Sequence, residues 1–168
     1  SSKLVMEIDP WATEGVQNYK EICEKFGLET INPDELPSPT HLHRRGIIFA
    51  HRDLDNVLEA RNAGRPFGVL SGLMPSGKIH LGHKMVIDQA RWYQELGGDV
   101  TITVADLEAH ATRGLSLEDC RKYAIEEYVT NYAGMGLDPD KTSIYFQSER
   151  PVVQKLGFTL GKKTNLSE

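Results

Sequence analysis

The chain holds only two cysteines in 168 residues, Cys23 and Cys120, and they form no Cys-x-x-C pair. Two thiols so far apart neither staple a fold nor complete a zinc set, which points to a reducing, cytoplasmic protein. No run of about 18 apolar residues occurs, so a membrane-spanning helix is excluded. No basic-then-apolar leader opens the chain, and secretion is not expected. Positive charge is in deficit: 19 Lys and Arg stand against 24 Asp and Glu, a net charge of −5. That balance argues against a uniform cationic coat for nucleic acid and leaves only local basic patches, at Arg44-Arg45 and around Lys155, Lys162 and Lys163. Internal repeats and low-complexity segments are also missing. What is present is an ordinary globular composition, 39% hydrophobic and 26% charged. A chain of this length forms one domain with a small appendage, and buries roughly two-thirds of its unfolded surface.

The pattern divides into an N-terminal arm over 1–45 and a domain over 46–168. In the arm, Tyr19, Ile22, Cys23 and Phe26 share one face of a helix from about Gln17 to Phe26, stopped by Gly27. Pro33, Pro37 and Pro39 then predict an extended linker. Beyond it, Ile47–Ala50 reads as a short strand, and Asp53 as the cap of a helix from about Leu54 to Ala63 ended by Gly64. Phe67–Gly72, Val100–Val104 and Ser143–Gln147 are strand-like apolar or β-branched runs. Between them lie a helix from about His80 to Leu96, built on Leu81, Met85, Val86, Ala90, Trp92, Tyr93 and Leu96, and another from Ser116 to about Met135. A weaker helical pattern through Val152, Val153, Leu156 and Leu160 follows Glu149. Strands alternating with helices predict an α/β fold with a parallel sheet.

The most informative segment is Pro75-Ser76-Gly77-Lys78-Ile79-His80-Leu81-Gly82-His83. It follows an apolar strand ending near Gly72 and opens a helix, the place where an open parallel sheet binds ligands. A helix N-terminus offers unpaired N–H groups and partial positive charge, which suit phosphate. His80 and His83, three apart, face one side of the first turn, and Gly82 leaves the backbone bare for a flat ring such as adenine. The same two histidines fit an exposed helix start equally well in isolation. As a metal pair they lack a third ligand. Leu70, Thr103, Glu108 and Gln147 stand at or just past strand ends, where side chains meet at a site. His110 reads as a surface residue, and Cys120 as core.

The nine-residue segment resembles the first signature of class I aminoacyl-tRNA synthetases, in the form of the tyrosyl and tryptophanyl subgroup. Asp9–Gly15 with Tyr19 and Phe26-Gly27 is similar to the arm of archaeal-type tryptophanyl-tRNA synthetases, as are Arg44-Arg45 through Asp53 and the turn Gly136–Thr142. The arm favours tryptophan over tyrosine, because the archaeal tyrosyl relatives lack it. The resemblance implies the first half of a Rossmann-like parallel sheet, and activation of L-tryptophan by ATP with Mg2+ followed by transfer to tRNA(Trp). It assigns His80 and His83 to the phosphate charge, Gly82 to the adenine ring, and Pro75, Ser76, Gly77 and Gly72 to the ATP site. By the same resemblance Leu70, Thr103, Glu108 and Gln147 line an amino-acid pocket, with Glu108 on the substrate ammonium. Leu70 departs from the pattern, since eukaryotic-type and many archaeal tryptophanyl enzymes carry Tyr there.

Lys162–Ser167 has the look of the second class I signature, but that loop follows the second half of the nucleotide fold, so a basic chain end is the simpler reading. The expectation is therefore an N-terminal fragment of a longer, homodimeric synthetase, weakly active by itself. A tyrosyl-type fragment, another nucleotidyltransferase, and a non-catalytic nucleotide- or partner-binding module with the same histidine-rich helix start remain as alternatives.

Overall fold

The computed structural model describes residues 19–161. The chain forms two compact units, one ending at Leu54 and the other starting at Asp55. The readings placed on Asp9–Gly15, Gln17 and Lys162–Ser167 lie outside the described residues.

In the first unit, helix α1 (Tyr19–Phe26) buries Cys23, and Gly27 ends it at φ 59°. Strand β1 (Glu29–Thr30) pairs antiparallel with β2 (Ala50–His51). The apolar Ile47-Ile48 pair is not strand, contrary to the expectation. Both N–H groups donate to the Leu42 carbonyl, at 2.9 and 3.2 Å, and so close a turn ahead of β2. The proline-rich stretch is not fully extended either. Pro33–Glu35 forms a 3-10 turn, in which the Asn32 side chain accepts from the Asp34 N–H and Pro33 takes the first position, where no N–H is needed. Helix α2 (His41–Arg44) follows and buries Leu42 and His43. The His43 Nδ1 accepts from the Thr40 N–H at 3.1 Å, which satisfies a donor at the helix start. Helix α3 (Leu54–Asn62), which belongs to the second unit from Asp55 on, begins where expected, but Asp53 sits at φ 61° and it is the His51 Nδ1 that accepts from the Leu54 N–H.

The second unit carries a parallel three-stranded sheet ordered β3 (Gly68–Leu73), β4 (Asp99–Val104) and β5 (Thr142–Phe146). All three strands fall on the runs read from sequence. The earlier run at 47–50 does not join them. Along β4, Val100, Ile102 and Val104 are buried and alternate with half-buried Thr101 and Thr103, so one face packs and the other is open. Helix α4 (Leu81–Glu95) lays Ile87 and Ala90 on the packed face. Leu81 and Val86, assigned to its apolar stripe from sequence, are exposed instead. Gly98, after α4, is required by close approach: a Cβ there would stand 2.5 Å from the Phe67 ring.

Helix α5 (Asp106–Arg113) follows β4, and the expected single helix after Ser116 has three parts. These are α6 (Leu117–Tyr123), a π-helical stretch (Ala124–Val129) and α7 (Thr130–Gly134). Ser116 caps it by accepting from the Asp119 N–H, and its hydroxyl donates to the Asp119 carboxylate at 2.7 Å. Cys120, Ala124, Tyr128 and Tyr132 are the buried residues of this run. They recur every fourth position, and such a stripe drifts about 40° per step around an α-helix. A wider π turn takes up that drift, and Thr130 donates to the Ile125 carbonyl five residues back, through both its N–H and its hydroxyl. Helix α8 (Pro151–Gly161) buries no residue. Among the described residues no helix is long and apolar enough to cross a membrane.

Candidate functional site

The strand register aligns Leu73, Val104 and Phe146 at one end of the sheet. Three segments leave that carboxyl edge together: the turn from Met74 into α4, Ala105 into α5, and the 3-10 turn Gln147–Glu149. The edge of an open parallel sheet is where its ligands bind. Pro75, Ser76, Gly77, His80 and His83 belong to the first segment, Glu108 to the second and Gln147 to the third.

His80 is the N-cap of α4, with extended backbone at φ −140° and ψ 176°. Its Nδ1 accepts from the Gly82 N–H at 3.2 Å, and the His83 Nδ1 accepts from the His80 N–H at 3.2 Å. The two side chains thus cap the helix reciprocally, a job usually done by Ser or Thr with Glu or Gln. The consequence is chemical. A ring nitrogen that accepts from an N–H carries no proton, so each neutral imidazole must hold its proton on Nε2. The ring centroids lie 3.9 Å apart, tilted by 45°. Two Nε2–H donors therefore stand side by side at the positive end of a fifteen-residue helix. Gly82 serves this arrangement: a Cβ there would meet the His80 ring at 3.0 Å. Steric room for His80 is a physical demand for glycine that the sequence reading, which gave Gly82 to adenine, did not contain.

Burial, and then the charge of His80, lowers the His83 pKa below its usual 6.5. Burial lowers that of His43 in the same way. Protonation would put a hydrogen on each capping Nδ1 and break the cap. Because the folded values are depressed, the unfolded chain binds more protons as pH falls, so this stability is full above 6.5 and is lost as pH falls through the folded values. The melting temperature is expected to drop as pH falls below about 6.5, and to drop less in a chain carrying both His43→Gln and His83→Gln. Melts of the two chains across that range check it, and identical pH dependence would refute it.

The turn itself is held from outside. Pro75 is buried, Ser76 is exposed, and the Gly77 carbonyl accepts from the Tyr128 hydroxyl at 2.7 Å. Tyr128 also sets its ring at 5.2 Å and 76° to His83. No cue in the nine-residue segment points to Tyr128. The only trace of it in sequence is the every-fourth spacing of the buried stripe. Space beside Gly77 is open, so no steric clash demands glycine there.

The residues read as an amino-acid pocket separate into two groups. Leu70 and Thr103, together with Gly72 from the expected ATP site, share the open sheet face, with Leu70 paired to Thr101 and Gly72 to Thr103. Leu70 is 73% exposed, and a Cβ on Gly72 would press the Thr103 hydroxyl at 3.2 Å. Glu108, exposed on α5, and half-buried Gln147 stand on the segments beyond the edge. Between these two segments lies a residue the sequence reading missed. Asp106 is 2% exposed, and its carboxylate accepts from the Leu107 N–H at 3.0 Å, the Ser148 N–H at 3.1 Å and the Ser148 hydroxyl. It ties the start of α5 to the turn that carries Gln147. His110 is exposed as expected, with its Nδ1 at 2.6 Å from the Leu115 carbonyl. Cys120 is fully buried, also as expected. Among the described residues no three His, Cys, Asp or Glu side chains gather as a metal site.

The family model described as tRNA synthetases class I (W and Y) matches residues 62–168. A tryptophan--tRNA ligase of Methanosarcina acetivorans is 45% identical, over 96% of this chain and 37% of its own length. One from Methanocaldococcus jannaschii is 43% identical, over 98% of this chain and 45% of its own. The crystal structure of the tryptophanyl-tRNA synthetase of Aeropyrum pernix superposes with a TM-score of 0.81 at 38% identity, covering 95% of this chain and 46% of that one. The chain thus spans less than half the length of these relatives.

Proposed function

The chain belongs to the class I tRNA synthetases of the W and Y group, and from that premise we propose that it supplies the ATP-phosphate-binding half of an enzyme that activates L-tryptophan and transfers it to tRNA(Trp). The observation that carries this reading is the reciprocal cap of His80 and His83 at the carboxyl edge of the parallel sheet. In adenylation the amino-acid carboxylate attacks the α-phosphorus of ATP, a P–O bond forms, and pyrophosphate leaves with its electron pair. Negative charge grows on phosphate oxygens, and donors already fixed in place stabilise it without reorganising. His80 and His83 are suited to that task by their Nε2–H groups. Neither needs to act as a base, because the attacking carboxylate is already ionised. ATP enters with Mg2+ as its substrate complex. Pro75, Ser76, Gly77, Gly82 and Gly72 would border the nucleotide, while Leu70, Thr103, Glu108 and Gln147 would meet the amino acid, Glu108 on its ammonium. The tryptophan named for the relatives favours that substrate, and a homodimeric whole enzyme belongs to the same reading.

The test is amino-acid-dependent exchange of pyrophosphate into ATP, measured on this chain and on the longest gene product that contains it. Exchange that requires tryptophan and ignores tyrosine is expected, at least in the longer product. Exchange driven by tyrosine would move the assignment to the other branch of the family, and no exchange with any amino acid in either would refute it.

A further inference from the structure

A phosphate site is only as good as the fixity of its donors: a misplacement of about 1 Å costs on the order of a hundredfold in rate. The turn from Met74 to Ile79 belongs to no helix or strand. Its internal backbone bond is a short one, from the Ser76 N–H to the Met74 carbonyl at 2.8 Å. The turn carries Ser76 and Gly77 and feeds directly into His80, so its position sets where α4 begins.

One side chain reaches both the turn and the histidine pair. Tyr128 is 1% exposed, and its hydroxyl donates to the Gly77 carbonyl at 2.7 Å. Its ring meets His83 edge to face, and Tyr132 backs it at 6.2 Å and 84°. Tyr128 stands within the π-helical stretch, and a π turn inside a helix is frequently found at functional sites. Burial pushes its phenol above the ordinary value, so the hydroxyl keeps the proton it donates.

We propose that Tyr128 is a positioning residue for the adenylation chemistry, holding the Gly77 carbonyl with its hydroxyl and the His83 ring with its ring edge, so that the turn and the imidazole pair keep one geometry. This rests on the function proposed above. Tyr128 takes no part in bond making. It acts through the groups that would touch ATP.

Two readouts on the longest chain that carries these residues test it. Tyr128→Phe keeps the ring and removes the hydroxyl. Tyr132→Phe is the control, since it removes a neighbouring hydroxyl from the same buried cluster. In Tyr128→Phe the amides of Ser76 and His80, the bonded donors at the two ends of the turn, are expected to exchange with solvent about tenfold faster, the worth of one hydrogen bond. Pyrophosphate exchange should lose about tenfold in kcat/KM for ATP while KM for the amino acid stays at the wild-type value. Tyr132→Phe should change neither. Unchanged amide exchange in Tyr128→Phe overturns the proposal, and so does equal loosening in both variants or an active wild type whose ATP kinetics Tyr128→Phe leaves intact. An inactive wild type whose turn still loosens in Tyr128→Phe supports the tether and sinks the function instead.

Discussion

His83→Gln is expected to cut amino-acid-dependent pyrophosphate exchange by about 10²–10³, with the melting temperature nearly unmoved. Gln at the third position of a helix is the usual partner in a reciprocal cap, because its amide oxygen can accept the N-cap N–H. The bond now made from the His80 N–H at 3.2 Å therefore has a substitute acceptor. The Nε2–H donor has only a poor substitute, since the Gln amide N–H lacks the ring that His80 and Tyr128 hold in place. Removing one preorganised donor from developing oxyanion charge costs about 2.7–4 kcal/mol, which is the stated fall in rate. His83→Ala deletes cap and donor together, and its fold should also lose about 1 kcal/mol. The pair separates the two roles. Exchange rates and thermal melts of both variants check it, and His83→Gln exchanging within about threefold of wild type would remove His83 from the phosphate site.

That separation depends on geometry that the residue types foreshadow only in part. The strand–turn–helix setting of the histidines was readable because Gly68–Leu73 and Asp99–Val104 are apolar or β-branched runs, and because Gly97-Gly98 punctuates the helix between them. A local signal of that kind survives without tertiary information. The role of Nδ1 did not, since His is an uncommon cap and its tautomer follows from which backbone donor it meets. Ile47-Ile48 misled for the opposite reason. Its apolar run has strand character, but two donors converging on the Leu42 carbonyl make a turn, and propensity yields to that closure.

Tyr128 and Asp106 were illegible for a further reason. Each works across a long sequence gap, to Gly77 and to Ser148, and pairwise contacts of that range leave no mark in a single sequence. Cys120, Ala124, Tyr128 and Tyr132 do leave one, a spacing of four that fits a widened helix better than a regular one. The residues read as an amino-acid pocket fall in two places. The strand-end rule drew attention to Gln147 and Glu108, which stand on the segments beyond the edge, and to Leu70, which lies on the open face of the sheet.

Asp106→Ala is expected to destabilise the second unit by about 2–4 kcal/mol. The carboxylate gathers three donors, from Leu107 and twice from Ser148, while 2% exposed. Deleting it leaves those donors facing a space too dry to replace the bonds, and hydrogen bonds to a charged group are worth about 1.5–3 kcal/mol each. Asp106→Asn retains one acceptor oxygen, and the Ser148 hydroxyl can rotate to accept from the new amide. Its cost should fall to about 1 kcal/mol. The functional consequence differs from that of His83. Asp106 fixes the start of α5 against the turn holding Gln147, so loosening it should raise KM for the amino acid before it touches KM for ATP. Denaturant unfolding of the two variants, with KM for each substrate at a temperature where both remain folded, checks both halves. Equal stability of Asp106→Ala and wild type would mean that water replaces the carboxylate. A rise confined to KM for ATP would detach Gln147 and Glu108 from the amino-acid side of the site.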